Sequence, residues 1–179
     1  MVDIEDGEIK MEFYKSFLIL VQELYQKSEP QSTYPNMGAP RKRYLVAATV
    51  SLAFAMESFI NDFGEQFFEE FDDFEMMPTY KKYLFFPKFA RVNAAIIIRK
   101  TSNEYRLLRL PFRYRDMFTH HKPSYRQSTS RDETMFNELN HSCLREMYTN
   151  AIKILKLINQ QFRMFEADND WLTRYNENL

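Results

Sequence analysis

Arg115 and His120 are the two residues whose types and spacing point most directly to chemistry. They stand five positions apart and converge if His120 lies at the end of a helix or just beyond it. Arginine carries a permanent positive charge on a planar set of donors that matches a phosphate. Histidine gains or loses a proton near neutral pH. The pair therefore suits cleavage of a phosphodiester without a metal, and it also fits a surface or helix-capping pair.

In the catalytic interpretation the two side chains divide the work. His120 would activate a ribose 2′-hydroxyl or protonate the leaving oxygen, and Arg115 would stabilise the charge that builds on phosphorus. Asp116 could orient a histidine of the same subunit or of a second one. These three residues are the predicted catalytic group.

Other chemistries find less support in the sequence. Asp116, His120, His121 and His141 do not form a metal-binding pattern, because adjacent histidines on a helix point about 100° apart and no His-x3-His or Cys/His spacing occurs. There is no glycine-rich phosphate loop and no nucleophile elbow. Cys143, the single cysteine, fits a small core residue. We therefore expect neither a metal nor another cofactor.

Charge is distributed unevenly along a chain whose net charge is −1. Residues 57 to 75 include eight acidic side chains and no Lys or Arg. Residues 99 to 131 include nine basic side chains against two acidic ones, a net charge of +7. Such a block can attract a polyanion even when the whole chain is near neutral. Alternatively, the two blocks neutralise each other within the fold or across a dimer.

The elements that would position these residues are helices. Only 3 glycines occur in 179 residues, which leaves few tight hairpin turns and argues against an all-β fold. Apolar residues recur at helical spacing over most of the chain. The predicted helices cover Asp6–Lys27, Arg41–Phe71, Lys88–Thr101, a short Pro111–His120 and a long Asp132–Glu166.

Between these helices lie segments of different character. Ser28–Pro40 and His121–Arg131 read as loops, and Asp72–Pro87 reads as irregular, with short helical turns allowed. The predicted fold is all-α: an up-down bundle of about four long helices plus a short motif-bearing helix. We expect a single domain over residues 1–179, with its core at about 6–166 and a polar C-terminal tail at 167–179.

The same features bear on location. A single cysteine permits no intrachain disulfide, which fits a reducing compartment. The acidic N-terminus lacks the apolar stretch of a signal peptide. No apolar run reaches the roughly 18–20 residues that span a membrane. We therefore expect a cytoplasmic protein with no membrane association.

Two segments resemble the HEPN superfamily. Arg115–His121 reads RDMFTHH, which is similar to the family's Arg-polar-x-x-x-His signature, with Asp116 at the polar position. Ala55–Asp62 reads AMESFIND, which resembles the family's Ala-x-Glu-x-x-x-Asn-like stretch and places Glu57 and Asn61 at its polar positions. The predicted order of helices is similar as well, so the resemblance spans about residues 44 to 165.

This resemblance implies a specific activity. HEPN proteins are helical bundles that usually pair, so that two Arg/His sets share one cleft. Many are metal-independent endoribonucleases of toxin–antitoxin, abortive-infection or other antiviral systems. By this likeness Arg115 and His120 would be the catalytic pair, with Asp116 in support, and Glu57 and Asn61, one turn apart, could face the same cleft. The implied partners are RNA, a second copy of the chain, and an antitoxin or defence protein.

The sequence departs from the family at one position and leaves a choice at another. Some HEPN toxins carry a tyrosine two residues after the histidine, where nucleotidyl modification occurs, but here Lys122 stands there and Tyr125 is out of register. His121 also falls within the family's tolerated spacing. His120 keeps the commonest spacing and is the preferred histidine.

Further residues of the basic block could bind RNA. Tyr125 and Arg126 could stack on and hold single-stranded RNA, because such recognition places aromatic rings beside cations; Arg113 and Lys122 are the other candidates. A mobile loop is the competing interpretation for Tyr125 and Arg126.

Three functional hypotheses follow from the sequence. The first is a dimeric HEPN-type endoribonuclease. The second is a catalytically inactive HEPN-like module that binds protein or nucleic acid, since the acidic run could repel RNA near the cleft. The third is an unrelated helical interaction protein. Glu57 and Asn61 have their own alternative, a buried polar pair satisfied by neighbouring helices or by Arg115.

Overall fold

The described part of the chain is all-α, as predicted, with no strand among the residues that it covers. A computed structural model describes residues 13–29, 38–69, 71–89, 98–119 and 130–162. The helices are α1 (Phe13–Ser28), α2 (Gly38–Phe67), α3 (Phe71–Glu75), α4 (Thr79–Phe89), α5 (Asn103–Thr119), α6 (Ser130–Glu138) and α7 (His141–Phe162).

The long helix α2 lies at the centre and packs against α1, α3, α4, α5 and α7. Apolar residues at helical spacing on α2 form a buried face: Leu45, Ala48, Leu52, Ala55, Phe59 and Phe63. Small side chains on this face, such as Ala48 and Ala55, let neighbouring helices approach closely. Because α2 also carries Glu57 and Asn61, the central helix fixes one side of the candidate site.

One stretch of α2 corrects the expectation about apolar runs. Among the described residues, Arg41–Gln66 is long and apolar enough to cross a membrane, with a mean hydropathy of 1.4 in an 18-residue window. However, 56% of that window is buried inside the protein. A buried core helix of a soluble protein meets the same criteria, so this stretch is weak support for a membrane protein.

The middle of the chain differs most from the predicted helices. Most of the 11-residue helix α4 lies in the stretch Asp72–Pro87, which was expected to be irregular. The helix expected at Lys88–Thr101 is wrong at its C-terminal end, because Ile98–Thr101 is not helical; residues 90–97 lie outside the described residues. The side chain of Ser102 accepts a hydrogen bond from the Tyr105 amide at 3.2 Å and caps α5.

The motif-bearing helix is longer than predicted. Helix α5 has 17 residues and begins eight residues before Pro111, which was expected to open the helix. Proline is favoured in a first turn but lacks the amide that an interior position uses. Here Pro111 is buried within α5, so packing against the core outweighs the lost hydrogen bond.

The helix predicted at Asp132–Glu166 is two helices. The helix is interrupted between α6 and α7 at Leu139, whose side chain is buried. Asn140 then caps α7, because its side-chain oxygen accepts a hydrogen bond from the Cys143 amide at 2.9 Å. Lys42 of α2 donates hydrogen bonds to the carbonyl oxygens of Asn137 and Leu139 and so satisfies the C-terminal end of α6.

Candidate functional site

Arg115 lies on α5, about one turn before the end of the described helix, and all three nitrogens of its guanidinium group meet carboxylates. Its Nη1 donates to Oε2 of Glu57 at 2.5 Å. Its Nε and Nη2 donate to Oδ1 of Asp116 at 3.2 and 3.1 Å. The group also lies 5.6 Å from the centre of the Phe112 ring. Arg115 is thus held in one orientation by two anions and an aromatic face.

Glu57 links three helices through its two oxygens. One accepts the hydrogen bond from Arg115 of α5, and the other accepts a hydrogen bond from the Thr79 hydroxyl of α4 at 2.7 Å. One turn further along α2, Asn61 accepts a hydrogen bond from Nζ of Lys82 at 2.6 Å. We call these six residues the polar cluster: Glu57, Asn61, Thr79, Lys82, Arg115 and Asp116.

Lys82 is the deepest charge of the polar cluster, with only 1% of its surface exposed. Burial lowers the pKa of its ammonium group, while the nearby carboxylates of Glu57 and Glu75 act in the opposite direction. Its Nζ also lies 5.3 Å from the centre of the Phe74 ring. A lysine this buried cannot reach a large substrate directly, and it acts by holding Asn61 and by balancing the charge of Glu57.

Tyr83 fastens α4 to α2 beside the polar cluster. Its hydroxyl donates a hydrogen bond to the Met56 carbonyl oxygen at 2.7 Å, one residue before Glu57. The side chain is fully buried, and burial raises the pKa of its hydroxyl well above the usual value. The neutral hydroxyl is therefore a structural donor that sets the position of Glu57 relative to Thr79.

Thr79 and Lys82 are not among the residues predicted from the sequence. They stand three positions apart, which places them on the same face of a helix, but the segment was expected to be irregular. A helix predicted over this segment would have placed Thr79 and Lys82 on one face. Their pairing with Glu57 and Asn61, more than 20 residues away, could not be read from local spacing.

The structure places Arg113 away from the polar cluster. Arg113 and Arg115 are two positions apart, so their side chains leave the helix about 200° from each other. Arg113 contacts α6, where its Nη2 lies 3.5 Å from Sδ of Met135. The neighbouring Tyr114 donates a hydrogen bond to the Met135 carbonyl oxygen at 3.0 Å. Arg113 and Arg106 line a groove of about 420 Å³ between α5 and α6.

Five of the predicted residues cannot be placed. His120, His121, Lys122, Tyr125 and Arg126 lie outside the described residues. The last described residue of α5, Thr119, bonds back to the helix, with its hydroxyl donating to the Arg115 carbonyl oxygen at 2.9 Å. The described part of the site is therefore the arginine with its counter-ions.

The structure also describes His141 and Cys143, the two other residues considered as possible functional groups from the sequence. Nε2 of His141 lies 2.8 Å from the Ser28 carbonyl oxygen, at the junction of α1 and α7. Cys143 is half-buried, and burial raises the pKa of its thiol. Within the described ranges, no group of three or more His, Cys, Asp or Glu side chains is arranged to hold a metal ion.

The arrangement can do one kind of chemistry with its described residues. It presents a rigidly held guanidinium group, the side chain that suits a phosphate or carboxylate, at a junction of three helices. No family model, curated protein or solved structure matches this chain. The polar cluster and the sequence motif that it contains are the features that bear on function.

Proposed function

We propose that this chain is a metal-independent endoribonuclease of the HEPN type. It would act in the cytoplasm as a homodimer, in a toxin–antitoxin, abortive-infection or other antiviral defence system. Each subunit would form an up-down bundle in which the long helices α1, α2, α5 and α7 support the site. Arg115 and His120 are the proposed catalytic residues, and RNA is the proposed substrate.

The ion pair between Arg115 and Glu57 carries this proposal. The resemblance to HEPN proteins rests on two segments that are far apart in the sequence. Glu57 belongs to the first and Arg115 to the second, and their side chains meet at 2.5 Å. Two unrelated local likenesses would have no reason to converge, so this contact supports treating them as parts of one site.

The proposed reaction is an internal transesterification. His120 removes the proton from a ribose 2′-hydroxyl, whose oxygen attacks the adjacent phosphorus as the bond to the 5′-oxygen breaks. The leaving oxygen takes up a proton from a protonated histidine, for which the second subunit supplies a candidate. Arg115 stabilises the additional negative charge on the phosphoryl oxygens. The products are a 2′,3′-cyclic phosphate and a free 5′-hydroxyl.

Exposed apolar side chains support the dimer. Phe13 and Leu20 of α1 and Phe54 of α2 are large and 54%, 38% and 37% exposed. Phe17, beside them, lies 5.6 Å from Phe54 between ring centres. Apolar patches on adjacent helices are typical of surfaces that a partner covers, and a second copy of the chain is the partner that the proposal requires.

The first test is RNA cleavage in the presence of EDTA. The purified chain should cut RNA and leave 2′,3′-cyclic phosphate ends, and His120→Ala should lower the rate by about a hundredfold or more, since general acid–base groups contribute at least that much. His121→Ala is the matched control and should retain most of the activity. Cleavage that continues unchanged in His120→Ala would remove His120 from the mechanism.

The second candidate is a non-catalytic HEPN-like module that binds protein or nucleic acid. The observation in its favour is that Glu57 and Asp116 already occupy the guanidinium group of Arg115, so an incoming phosphate must compete with them. Binding of RNA without cleavage under all metal conditions would favour this module over the nuclease.

A further inference from the structure

We propose that Asp116 sets the affinity of the site for phosphate by occupying the edge of Arg115 that the phosphate would use. This proposal rests on the proposed function, in which Arg115 binds the RNA backbone. It gives Asp116 a role as a displaceable counter-ion rather than as a support for a histidine. Asp116 is thus an affinity-determining residue.

The two carboxylates on Arg115 are held very differently. Glu57 is fixed, because its second oxygen accepts a hydrogen bond from Thr79, and its contact to Nη1 is short. Asp116 contacts Arg115 through one oxygen only, at 3.1 and 3.2 Å. Its side chain is 56% exposed, against 33% for Glu57. Asp116 can therefore rotate into solvent at little cost, whereas Glu57 cannot.

The edge that Asp116 occupies is the one suited to a phosphate. The Nε and Nη2 donors of arginine are parallel, and two oxygens of a phosphate can accept from both at once. Asp116 offers that edge a single oxygen shared between two donors. A phosphodiester offers two oxygens, so it can replace Asp116 with better geometry while Glu57 keeps the guanidinium group in place.

The test measures binding of an oligodeoxynucleotide, which lacks the 2′-hydroxyl and cannot be cleaved by the proposed reaction. Asp116→Asn should tighten binding by about two- to fivefold, the worth of an exposed ion pair. Asp73→Asn, on the exposed surface of α3, makes the same change in net charge at a residue outside the ion pairs of Arg115 and should have a smaller effect. In an Arg115→Ala background, Asp116→Asn should tighten binding no more than Asp73→Asn does.

The dependence of binding on salt gives an independent readout. In the wild type the phosphate displaces the Asp116 carboxylate, which takes up a counter-ion from solution, whereas in Asp116→Asn no anion is displaced. The plot of log binding constant against log salt concentration should therefore be steeper for Asp116→Asn by about 0.7, the value for one contact to a single strand.

Several outcomes would overturn the proposal. Equal effects of Asp116→Asn and Asp73→Asn, an unchanged salt dependence, or a gain that persists in the Arg115→Ala background would each do so, as would no binding by either protein. A different outcome bears on the nuclease alone: tighter binding by Asp116→Asn with no cleavage of RNA supports the role of Asp116 and contradicts the proposed endoribonuclease.

Discussion

Both oxygens of Glu57 accept hydrogen bonds from neutral or positive donors on other helices. These two contacts tie the carboxylate to α4 and α5, so the helices that it joins fix its place in the site. Glu57 therefore fits the role of a positioning residue for Arg115. The same reasoning applies to Asn61, whose oxygen is occupied by buried Lys82.

Tyr83 provides a test of how the polar cluster is held together. Tyr83→Phe removes the hydrogen bond to the Met56 carbonyl oxygen and should lower the free energy of unfolding at pH 7 by about 1 kcal/mol. Urea unfolding at several pH values measures this change. Tyr105→Phe is the control, because the Tyr105 hydroxyl makes no hydrogen bond to any described residue.

The pH dependence follows from the raised pKa of Tyr83. The native state keeps this proton at a pH where the unfolded chain, with an ordinary tyrosine pKa of about 10, loses it. The stability that the protonated form contributes is thus complete below pH 10 and declines as the pH rises above it. In Tyr83→Phe the decline above pH 10 should be shallower by up to about 1.4 kcal/mol per pH unit. An identical slope in both proteins would contradict this account.

At the scale of elements, helical periodicity predicted the helices that have long apolar stripes. It missed helices and helix boundaries that depend on how the segment packs into the core. Helix α2 matches its predicted range to within four residues at each end. Helix α4 was missed, because its aromatic run and Pro87 do not show a clear helical period. Pro111 was expected to mark a boundary, yet the core accommodates it inside α5.

The residues of the candidate site also fall into two groups, those predicted from local motifs and those that were not. The spacing of Glu57 and Asn61 and the Arg115-Asp116 pair were available from motifs within single helices. Thr79 and Lys82 were not, because their role depends on how α4 docks against α2. Contacts between elements more than 20 residues apart depend on how the helices pack together. No local pattern in a single sequence shows that packing.

The docking of α3 against α2 depends on the absence of a side chain at Gly64. A Cβ atom there would overlap the ring of Phe74, and that ring is stacked on Phe68, with 4.7 Å between ring centres, and contacts Lys82. In an open helix, Gly→Ala stabilises by about 1 kcal/mol. Here we expect Gly64→Ala to destabilise the protein by about 1–3 kcal/mol, the usual cost of overpacking.

The prediction is tested by whether Gly64→Ala lowers or raises the free energy of unfolding. Chemical unfolding of Gly64→Ala, Phe74→Ala and the double variant gives the necessary comparison. When Phe74 is truncated, the added methyl group has room, and Gly64→Ala should become neutral or stabilising. A stabilising Gly64→Ala in the otherwise unaltered protein would show that α3 does not pack closely on α2 at this point.

At the scale of the whole molecule, the polar cluster joins the acidic and basic blocks of the sequence. Glu57 opens the acidic block and Arg115 belongs to the basic block, and they neutralise each other across α2 and α5. Arg106 and Arg113 line a groove against α6, on a different side of α5. Among the described residues, the basic block therefore contributes to two surfaces rather than to one cleft.

One copy of Arg115 and His120 provides half of the proposed site, so activity should require association. Sedimentation equilibrium should give a mass of twice the 21.7 kDa of the chain, and the specific activity should fall on dilution through the dissociation constant, because the fraction of paired subunits falls with it. His120→Ala should keep the dimer mass while losing activity, which separates assembly from chemistry. Full specific activity in a sample that sediments entirely as monomer would contradict a shared site and leave each subunit to carry out the cleavage alone.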